Sequence, residues 1–199
     1  MKTKINLLGD YESGLVSNGA RKNGMIITVS GISGSGKSTV VGILMKAFPE
    51  MDLVYSGGIF RENAKKAGKT LEEYSATRDE EDDIELDKEV LKRGMKGGTI
   101  IDSRLGAWAL GDWADFRIFV TCPFGTRVDR VAKRENISAA QARNRVESRD
   151  SSDSLRYMRL YGIDINDLSV YDFIIDNSGS LKELESGVKR IIREIKNKG

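Results

Sequence analysis

The sequence contains no histidine, a single cysteine and almost no excess of charge. Without histidine, a Ser-His-Asp triad and a histidine-ligated metal site are excluded. Because Cys122 stands alone, it cannot form an internal disulfide, and we expect a cytoplasmic protein. Catalysis must therefore come from lysine, arginine and aspartate side chains with a bound cation.

Long apolar runs are also missing, and none could span a bilayer. The 32 basic and 30 acidic residues leave a net charge of +2, which argues against a general nucleic-acid or membrane surface. At 199 residues the chain suits one α/β domain with a sizeable core. We expect a monomer whose partners are neither nucleic acids nor membranes.

The glycine-rich stretch after residue 30 carries the strongest functional signal. Residues 31–38 fill the pattern G-x-x-x-x-G-K-[ST], which is typical of a loop that wraps a nucleoside triphosphate between a strand and a helix. Glycines allow positive φ, so that backbone N–H groups can approach phosphate oxygens. We expect Lys37 to reach the β- and γ-phosphates of ATP and the Ser38 hydroxyl to ligate Mg²⁺. The predicted ATP-binding residues of this loop are Gly31, Ile32, Ser33, Gly34, Ser35, Gly36, Lys37, Ser38 and Thr39.

Short apolar strands alternate with helical patterns along the rest of the chain. We predict strands at residues 25–30, 52–55, 99–102, 116–121 and 171–176. This alternation indicates a P-loop α/β fold of three layers, with a five-stranded parallel sheet flanked by helices. Capping-box patterns predict helix starts at Thr70, Ser138 and Ser180.

The first 24 residues differ from the remainder. They show neither sustained periodicity nor the apolar core of a signal peptide. We expect residues 1–24 to form a flexible N-terminal extension, either native or left over from cloning, and residues 25–199 to form a single domain.

Charged residues follow several predicted strands at the carboxyl edge of the sheet, where such folds bind ligands. Asp102 ends the third strand, and we expect it to bind Mg²⁺ through water, although a helix cap is the alternative. Arg61 follows a strand-to-helix turn, where an acceptor phosphate is a plausible partner. Arginines on the later helices, each taken alone, are more often surface charges.

Five segments carry a resemblance to a known family. The chain resembles the nucleoside monophosphate kinases, most closely the archaeal type of cytidylate kinase, from Met25 to near the C-terminus. The segments are Ser56–Arg61, Asp102–Arg104, Asp129–Arg134, Arg149–Arg156 and Tyr161–Asp164.

The resemblance implies an adenylate-kinase-like kinase domain with a nucleotide-binding helical insert at about 57–97 and a helical lid at about 134–160. It implies that the acceptor CMP contacts Ser56, Arg61, Arg104 and Asp153. It also implies that Arg130 lies against adenine, that Arg134 lies near phosphates, and that Arg149 and Arg156 close on the transferred phosphate. The expected catalytic residues are Lys37, Arg61, Arg104, Arg149 and Arg156.

The sequence departs from the family pattern at two positions. Ser103 stands where glycine is usual and is expected to narrow the acceptor site, and Tyr55 stands where a small or acidic residue is common. The contact with the acceptor base stays open among Arg78, Asp79, Asp83 and Asp87, since a cytosine pocket needs a carboxylate or carbonyl together with a donor.

The expected activity is direct in-line transfer of the γ-phosphate of ATP, with Mg²⁺, to CMP and dCMP. One alternative is another acceptor, such as AMP or UMP. Another is a P-loop ATPase that acts as an assembly switch, which would release ADP without an acceptor. A catalytically idle binding module is disfavoured because Lys37, Ser38 and Asp102 are all present.

Overall fold

A single parallel sheet organises the chain. The computed structural model describes residues 23–70, 73, 74, 77 and 79–198. Its five strands lie in the order β2-β3-β1-β4-β5. The strands are β1 (Ile26–Gly31), β2 (Asp52–Tyr55), β3 (Thr99–Asp102), β4 (Phe116–Thr121) and β5 (Phe173–Asp176). The predicted five-stranded parallel sheet flanked by helices is confirmed.

Helices cover both faces of this sheet. These are α1 (Lys37–Ala47), α2 (Ser56–Lys66), α3 (Glu80–Gly94), α4 (Gly106–Leu110), α5 (Phe124–Glu135), α6 (Ala139–Tyr161) and α7 (Leu181–Lys198), with a 3₁₀ turn at Gly111–Trp113. In the described part of the chain, no helix combines the length and the apolar character needed to cross a membrane.

The central strand β1 contributes side chains to two separate hydrophobic cores, because successive side chains point to opposite faces of the sheet. Ile27 packs with Leu44 of α1 and Val188 of α7 on one face. Ile26 packs with Leu91 of α3 and Leu110 of α4 on the other. All six side chains are completely buried, and each contributes about 1.5–3 kcal/mol through removal of apolar surface from water.

The register of the sheet brings the predicted site segments to one edge. Val29 of β1 pairs with Asp102, which also pairs with Tyr55 at the end of β2. Gly31 pairs with Val120 of β4. Since the strands are parallel, the segments that follow these positions all lie at the carboxyl edge of the sheet. This is the edge at which the sequence analysis predicts ligand binding.

Capping-box hydrogen bonds form at the three positions where the sequence predicts helix starts. Reciprocal backbone and side-chain hydrogen bonds form within each of three capping boxes. They join Thr70 with Glu73, Ser138 with Gln141, and Ser180 with Glu183.

Some boundaries differ from the sequence predictions. Helix α5 begins at Phe124 rather than near residue 126, because the Pro123 carbonyl accepts a hydrogen bond from the Arg127 amide at 3.1 Å. Strand β5 begins at Phe173 rather than 171, where the Asp172 carboxylate accepts a hydrogen bond from the Arg117 amide at 2.7 Å. Helix α4 was not predicted.

The predicted extension can be followed only at its end, because residues 1–22 lie outside the described residues. The Asn23 amide donates a hydrogen bond to the Lys96 carbonyl at 3.1 Å. The division into an extension and a kinase domain, with an insert and a lid, stays a prediction.

Candidate active site

The loop between β1 and α1 forms one wall of a cavity of about 430 Å³, and all nine predicted loop residues line it. We name it the phosphate cavity after its predicted ligand. Gly34 and Gly36 have φ values of 77° and 92°. A Cβ at Gly36 would collide with the side-chain amide of Asn177, so two independent constraints require glycine there. The backbone of the loop is thereby free to follow an anionic ligand.

The loop is held in place from β5 and α5. Asn177, just after β5, donates a hydrogen bond from Nδ2 to the Ser35 carbonyl at 2.8 Å. Arg130 of α5 donates to the same carbonyl at 3.4 Å and to the Asn177 carbonyl at 2.9 Å. Arg130 thus supports the loop and lines the phosphate cavity, while its predicted contact with adenine stays a prediction.

Lys37 lies at the start of α1 and donates a hydrogen bond to the Asp102 carboxylate at the end of β3. Burial and, to a lesser extent, repulsion from the nearby Arg104 guanidinium together lower the pKa of Lys37 from 10.5 to about 8. The predicted metal residue Asp102 is therefore an ion-pair partner of the predicted catalytic lysine, and it is only 3% exposed.

The oxygen donors at this point fit Mg²⁺. Ser38 is exposed and lines the phosphate cavity, and the Asp102 carboxylate lies beside Lys37. Within the described ranges, no group of three or more acidic, histidine or cysteine side chains could hold a metal alone. A cation bound by a hydroxyl, water and substrate phosphates suits Mg²⁺, which keeps several of its waters.

A second cavity of about 590 Å³, which we name the acceptor cavity, adjoins the first. Four residues line both cavities: Lys37, Tyr55, Arg104 and Arg149. The four predicted CMP-binding residues Ser56, Arg61, Arg104 and Asp153 all line this second cavity, as does Arg156. The structure therefore brings the predicted donor and acceptor residues to opposite sides of a shared cationic boundary.

The acceptor-side residues are positioned by short-range contacts. Arg61 donates a hydrogen bond to the Gly57 carbonyl at 3.2 Å, and its guanidinium lies 5.4 Å from the centre of the Tyr55 ring. Ser56 donates from its hydroxyl to the Asp102 carbonyl at 3.1 Å. Arg104 forms an ion pair with Asp153 of α6, which links the end of β3 to the predicted lid.

Ser103, the departure from the family pattern, lines this acceptor cavity. It is 3% exposed, and its carbonyl accepts a hydrogen bond from the Ser30 hydroxyl at 2.9 Å. Its hydroxyl accepts from the Leu105 amide at 3.3 Å. Its effect on the width of the acceptor site stays a prediction.

The lid arginines meet carboxylates on neighbouring helices. Glu135 at the end of α5 forms ion pairs with Arg134 at 2.7 Å, with Arg149 at 3.4 Å and with Arg145. Although partial burial opposes its charge, hydrogen bonds from Arg134 and Arg145 and the charge of Arg149 hold the pKa of Glu135 at about 2. Arg134 and Arg149 line the phosphate cavity from this cluster.

Arg156 is held differently. Its guanidinium donates to the Asp83 carboxylate of α3 at 2.7 Å and lies 4.4 Å from the centre of the Tyr157 ring. This contact ties α6, the predicted lid helix, to α3 of the predicted insert. The closing of Arg149 and Arg156 on a transferred phosphate stays a prediction.

Sequence reasoning missed the role of Arg127, which it treated as one helix arginine among several. Arg127 is buried and donates to the Ser33 carbonyl at 3.1 Å and to Asp150 at 2.6 Å. Asp150 in turn accepts a hydrogen bond from the Ser33 amide at 3.4 Å. One signal was available, since Phe124, Arg127, Val128 and Val131 follow the spacing of one apolar helix face.

The structure separates the four candidates for the acceptor base. Asp87 lines the acceptor cavity, whereas Asp83 holds Arg156. Asp79 caps α3 by accepting a hydrogen bond from the Asp82 amide at 3.0 Å. Arg78 lies outside the described residues.

Comparison with protein families gives a match across most of the chain. The model of the cytidylate kinase-like family matches residues 48–179. The chain belongs to this family. A cytidylate kinase from Pyrococcus horikoshii is 40% identical over 79% of this chain and 82% of that protein. Another, from Pyrococcus abyssi, is 42% identical over 79% of this chain and 87% of that protein. A third, from Methanocaldococcus jannaschii, is 36% identical over 77% of this chain and 89% of that protein.

Solved structures agree with the fold of this cytidylate kinase-like chain. An uncharacterized protein from Eubacterium ventriosum superimposes with a TM-score of 0.66 at 18% identity, covering 86% of this chain and 98% of that one. Shikimate kinase from Bacteroides thetaiotaomicron gives a TM-score of 0.56 at 12% identity, covering 86% and 98%. At these identities the likeness shows the fold alone.

The cytidylate kinase-like site combines features that phosphoryl transfer requires. A glycine-rich loop at a helix N-terminus provides backbone donors for phosphates, and Lys37, Arg104 and Arg149 place cations where the two cavities adjoin. Such a reaction depends mainly on positioning and on stabilisation of negative charge. The arrangement can hold two phosphorylated ligands end to end.

Proposed function

We propose that this chain is a cytidylate kinase that transfers the γ-phosphate of ATP to CMP and dCMP, giving ADP with CDP or dCDP. The observation that carries the proposal is the pair of adjoining cavities, one lined by the phosphate loop and the other by acceptor-side arginines. Four residues belong to both, so the two phosphate groups can meet without an intervening protein nucleophile. Transfer is therefore direct and in line.

The donor side holds ATP through the loop. Backbone N–H groups of residues 31–38 and the Lys37 ammonium bind the β- and γ-phosphates. Arg134 lies near these phosphates, and Arg130 lies against adenine. Ser38 and, through water, Asp102 would hold Mg²⁺. When bound, Mg²⁺ neutralises charge on the phosphate oxygens.

The acceptor side orients the monophosphate. Arg61, Arg104 and Ser56 direct its phosphate oxygen towards the γ-phosphorus, and Asp153 fixes Arg104 through their ion pair. Arg149 and Arg156 of the lid neutralise the charge that spreads over the moving phosphoryl group. Closure of the lid over both ligands excludes water, which would otherwise compete as acceptor.

We propose that the chain acts as a monomer. The buried lone thiol of Cys122 supports work in the reducing cytoplasm. Size-exclusion chromatography with light scattering tests the monomer.

The activity is tested by ADP release from ATP and Mg²⁺ with CMP, dCMP, UMP, AMP, GMP and dTMP offered separately, beside a reaction without acceptor. CMP and dCMP should give the highest rates. Lys37→Ala should lower kcat by about 10²- to 10³-fold, because a cation on the transferring phosphate is lost. Lys46→Ala, which removes an exposed lysine from the other end of α1, is the matched control and should behave as wild type.

Other outcomes would identify the alternatives. The highest rate with AMP or UMP would show that the acceptor assignment is wrong. Equal ADP release with and without every acceptor would indicate an ATPase, and the roles of Arg61 and Arg104 would be withdrawn.

A further inference from the structure

The wall of the acceptor cavity formed by α3 combines apolar side chains with one buried carboxylate. Helix α3 contributes Leu86 and Asp87, while Phe60 of α2 and Tyr157 of α6 add two aromatic rings. Asp87 is 4% exposed and therefore faces the cavity from an almost fully buried position. A flat ring that enters this space meets apolar surfaces and one buried carboxylate.

Asp87 has a fixed orientation. The Tyr161 hydroxyl, at the C-terminal end of α6, donates a hydrogen bond to Asp87 Oδ2 at 2.9 Å. Burial of Tyr161 and the neighbouring Asp87 carboxylate raise the pKa of the Tyr161 hydroxyl, which therefore keeps its proton. The hydrogen bond connects the last turn of the lid helix to the insert helix and limits rotation of the carboxylate.

A second carboxylate, Asp153, also lines the described part of this cavity. It forms an ion pair with Arg104 and lies 3.9 Å from Arg156, so it belongs to the arginines assigned to phosphate. Asp87 lies on the apolar side of the cavity beside Leu86, Phe60 and Tyr157, where it accepts a hydrogen bond from the Tyr161 hydroxyl and also interacts with the charge of Arg156. Each carboxylate oxygen can accept more than one hydrogen bond, so Asp87 can still accept from a ligand. Asp87 is thus the carboxylate suited to reading a base.

The pyrimidines differ in the group at position 4. Cytosine has an amino group there, which donates hydrogen bonds, whereas uracil has a carbonyl oxygen, which accepts them. An ionised carboxylate only accepts, so it binds the cytosine amino group and repels the uracil oxygen. A buried carboxylate left facing an acceptor loses its hydrogen bond without compensation from water.

We propose that Asp87 selects cytosine over uracil by accepting a hydrogen bond from the base amino group, and that Tyr161 is the positioning residue that holds Asp87 for this contact. The inference rests on the proposed function, since it assigns the base contact within the same acceptor site. It leaves phosphate binding to the arginines.

The test compares kcat/KM for CMP and for UMP at saturating ATP in wild type, Asp87→Asn, Tyr161→Phe and Glu85→Gln. Asp87→Asn keeps the shape but adds a donor, so the CMP-to-UMP ratio should fall by about 10- to 100-fold while the KM for ATP stays the same. Tyr161→Phe should give a smaller fall, through a raised KM for CMP with kcat largely kept. Glu85→Gln removes an exposed charge from the same helix and should keep the wild-type ratio.

An unchanged ratio in folded Asp87→Asn, with wild type preferring CMP, would overturn this inference and leave the proposed function standing. Wild type that uses neither CMP nor UMP would overturn both. If Asp87→Asn fails to fold, Tyr161→Phe decides, because it removes one hydroxyl only. A wild-type ratio and a wild-type KM for CMP in that variant would overturn the positioning role and the selection built on it.

Discussion

The charge of Lys37 depends on its surroundings. Burial at the start of α1 disfavours the ammonium form, and the Arg104 guanidinium adds repulsion, so the pKa falls to about 8. The Asp102 carboxylate, which accepts its hydrogen bond, is the anion that keeps this charge inside the protein. Lys37 is therefore protonated at neutral pH but close enough to its pKa to lose the charge in mildly alkaline solution.

We expect kcat/KM for ATP to fall as pH rises through about 8, because the free enzyme then loses the Lys37 charge that binds phosphate. The lowered pKa means that the charged form is favoured below this value and lost above it. Bound phosphate favours the ammonium, so kcat should fall at a higher pH than kcat/KM. Initial rates between pH 6.5 and 10 measure both profiles.

Lys37→Arg serves as the control for this pH profile. Arginine stays charged throughout the range, so whatever activity remains should show no decline near pH 8. A wild-type kcat/KM that stays constant through pH 9.5 would contradict the assignment of the titrating charge to Lys37.

Residues whose partners are local could be predicted from the sequence, and those with distant partners could not. The loop glycines and Lys37 lie within one short pattern, and the structure places them together on one cavity wall. Arg127 has its partners at Ser33 and Asp150, far away in the chain, so its position on the apolar face of α5 indicates burial but not which groups it contacts.

At the scale of elements, α5 and α6 pack together, and Arg127 gives both helices a buried contact with the phosphate loop. Arg127 of α5 joins the Ser33 carbonyl to Asp150 of α6. The Ser33 amide donates to the same aspartate. A shift of the predicted lid helix is therefore transmitted to the loop that holds the donor phosphates.

Arg127→Met and Asp150→Asn should each raise the KM for ATP by about tenfold and lower the free energy of unfolding by about 1–3 kcal/mol. Arg127→Met leaves the Ser33 carbonyl without its side-chain donor, and Asp150→Asn leaves the buried guanidinium without its counter-charge. Their effects should not add in the double variant, because both remove the same contact. Steady-state kinetics and urea unfolding measure these quantities.

Arg143→Met is the matched control for this pair of helices. Its side chain is 58% exposed, and its guanidinium lies 3.6 Å from Glu147 and 5.0 Å from the centre of the Phe124 ring. Such exposed contacts contribute little to stability. Additive effects of the two test variants would show that Arg127 and Asp150 act independently.

Elements with local start signals were predicted well. The capping boxes at Thr70, Ser138 and Ser180 form as their sequence spacing indicates, because the bonded groups are three residues apart. Helix α4 has five residues and no side-chain cap, and it is stabilised by burial against the sheet. Only tertiary packing could reveal it.

At the scale of the molecule, the sheet brings distant parts of the chain to one loop. β1 is central and β5 lies at one edge of the described sheet, yet Asn177 after β5 holds the Ser35 carbonyl. The parallel arrangement makes this possible, since both strands end at the same side. The alternation of strands and helices predicts this sheet, but the strand order depends on packing that no local pattern specifies.

Asn177→Ala should raise the KM for ATP by about tenfold and lower the free energy of unfolding by about 1–3 kcal/mol, because the buried Ser35 carbonyl loses its shortest described hydrogen bond. Ser178→Ala changes the adjacent exposed residue, which contacts Asp176 rather than the loop, and should behave as wild type. Similar kinetics in the two variants would contradict the role of Asn177.

The contact between Asn177 and Ser35 also has a consequence for protein synthesis. A ribosome makes the phosphate loop well before Asn177, one of the residues that hold it, because Asn177 follows β5, the last strand of the described sheet. During translation the loop is thus present long before its support. The ATP site is therefore completed in a late step, when β5 joins the sheet that already contains β1.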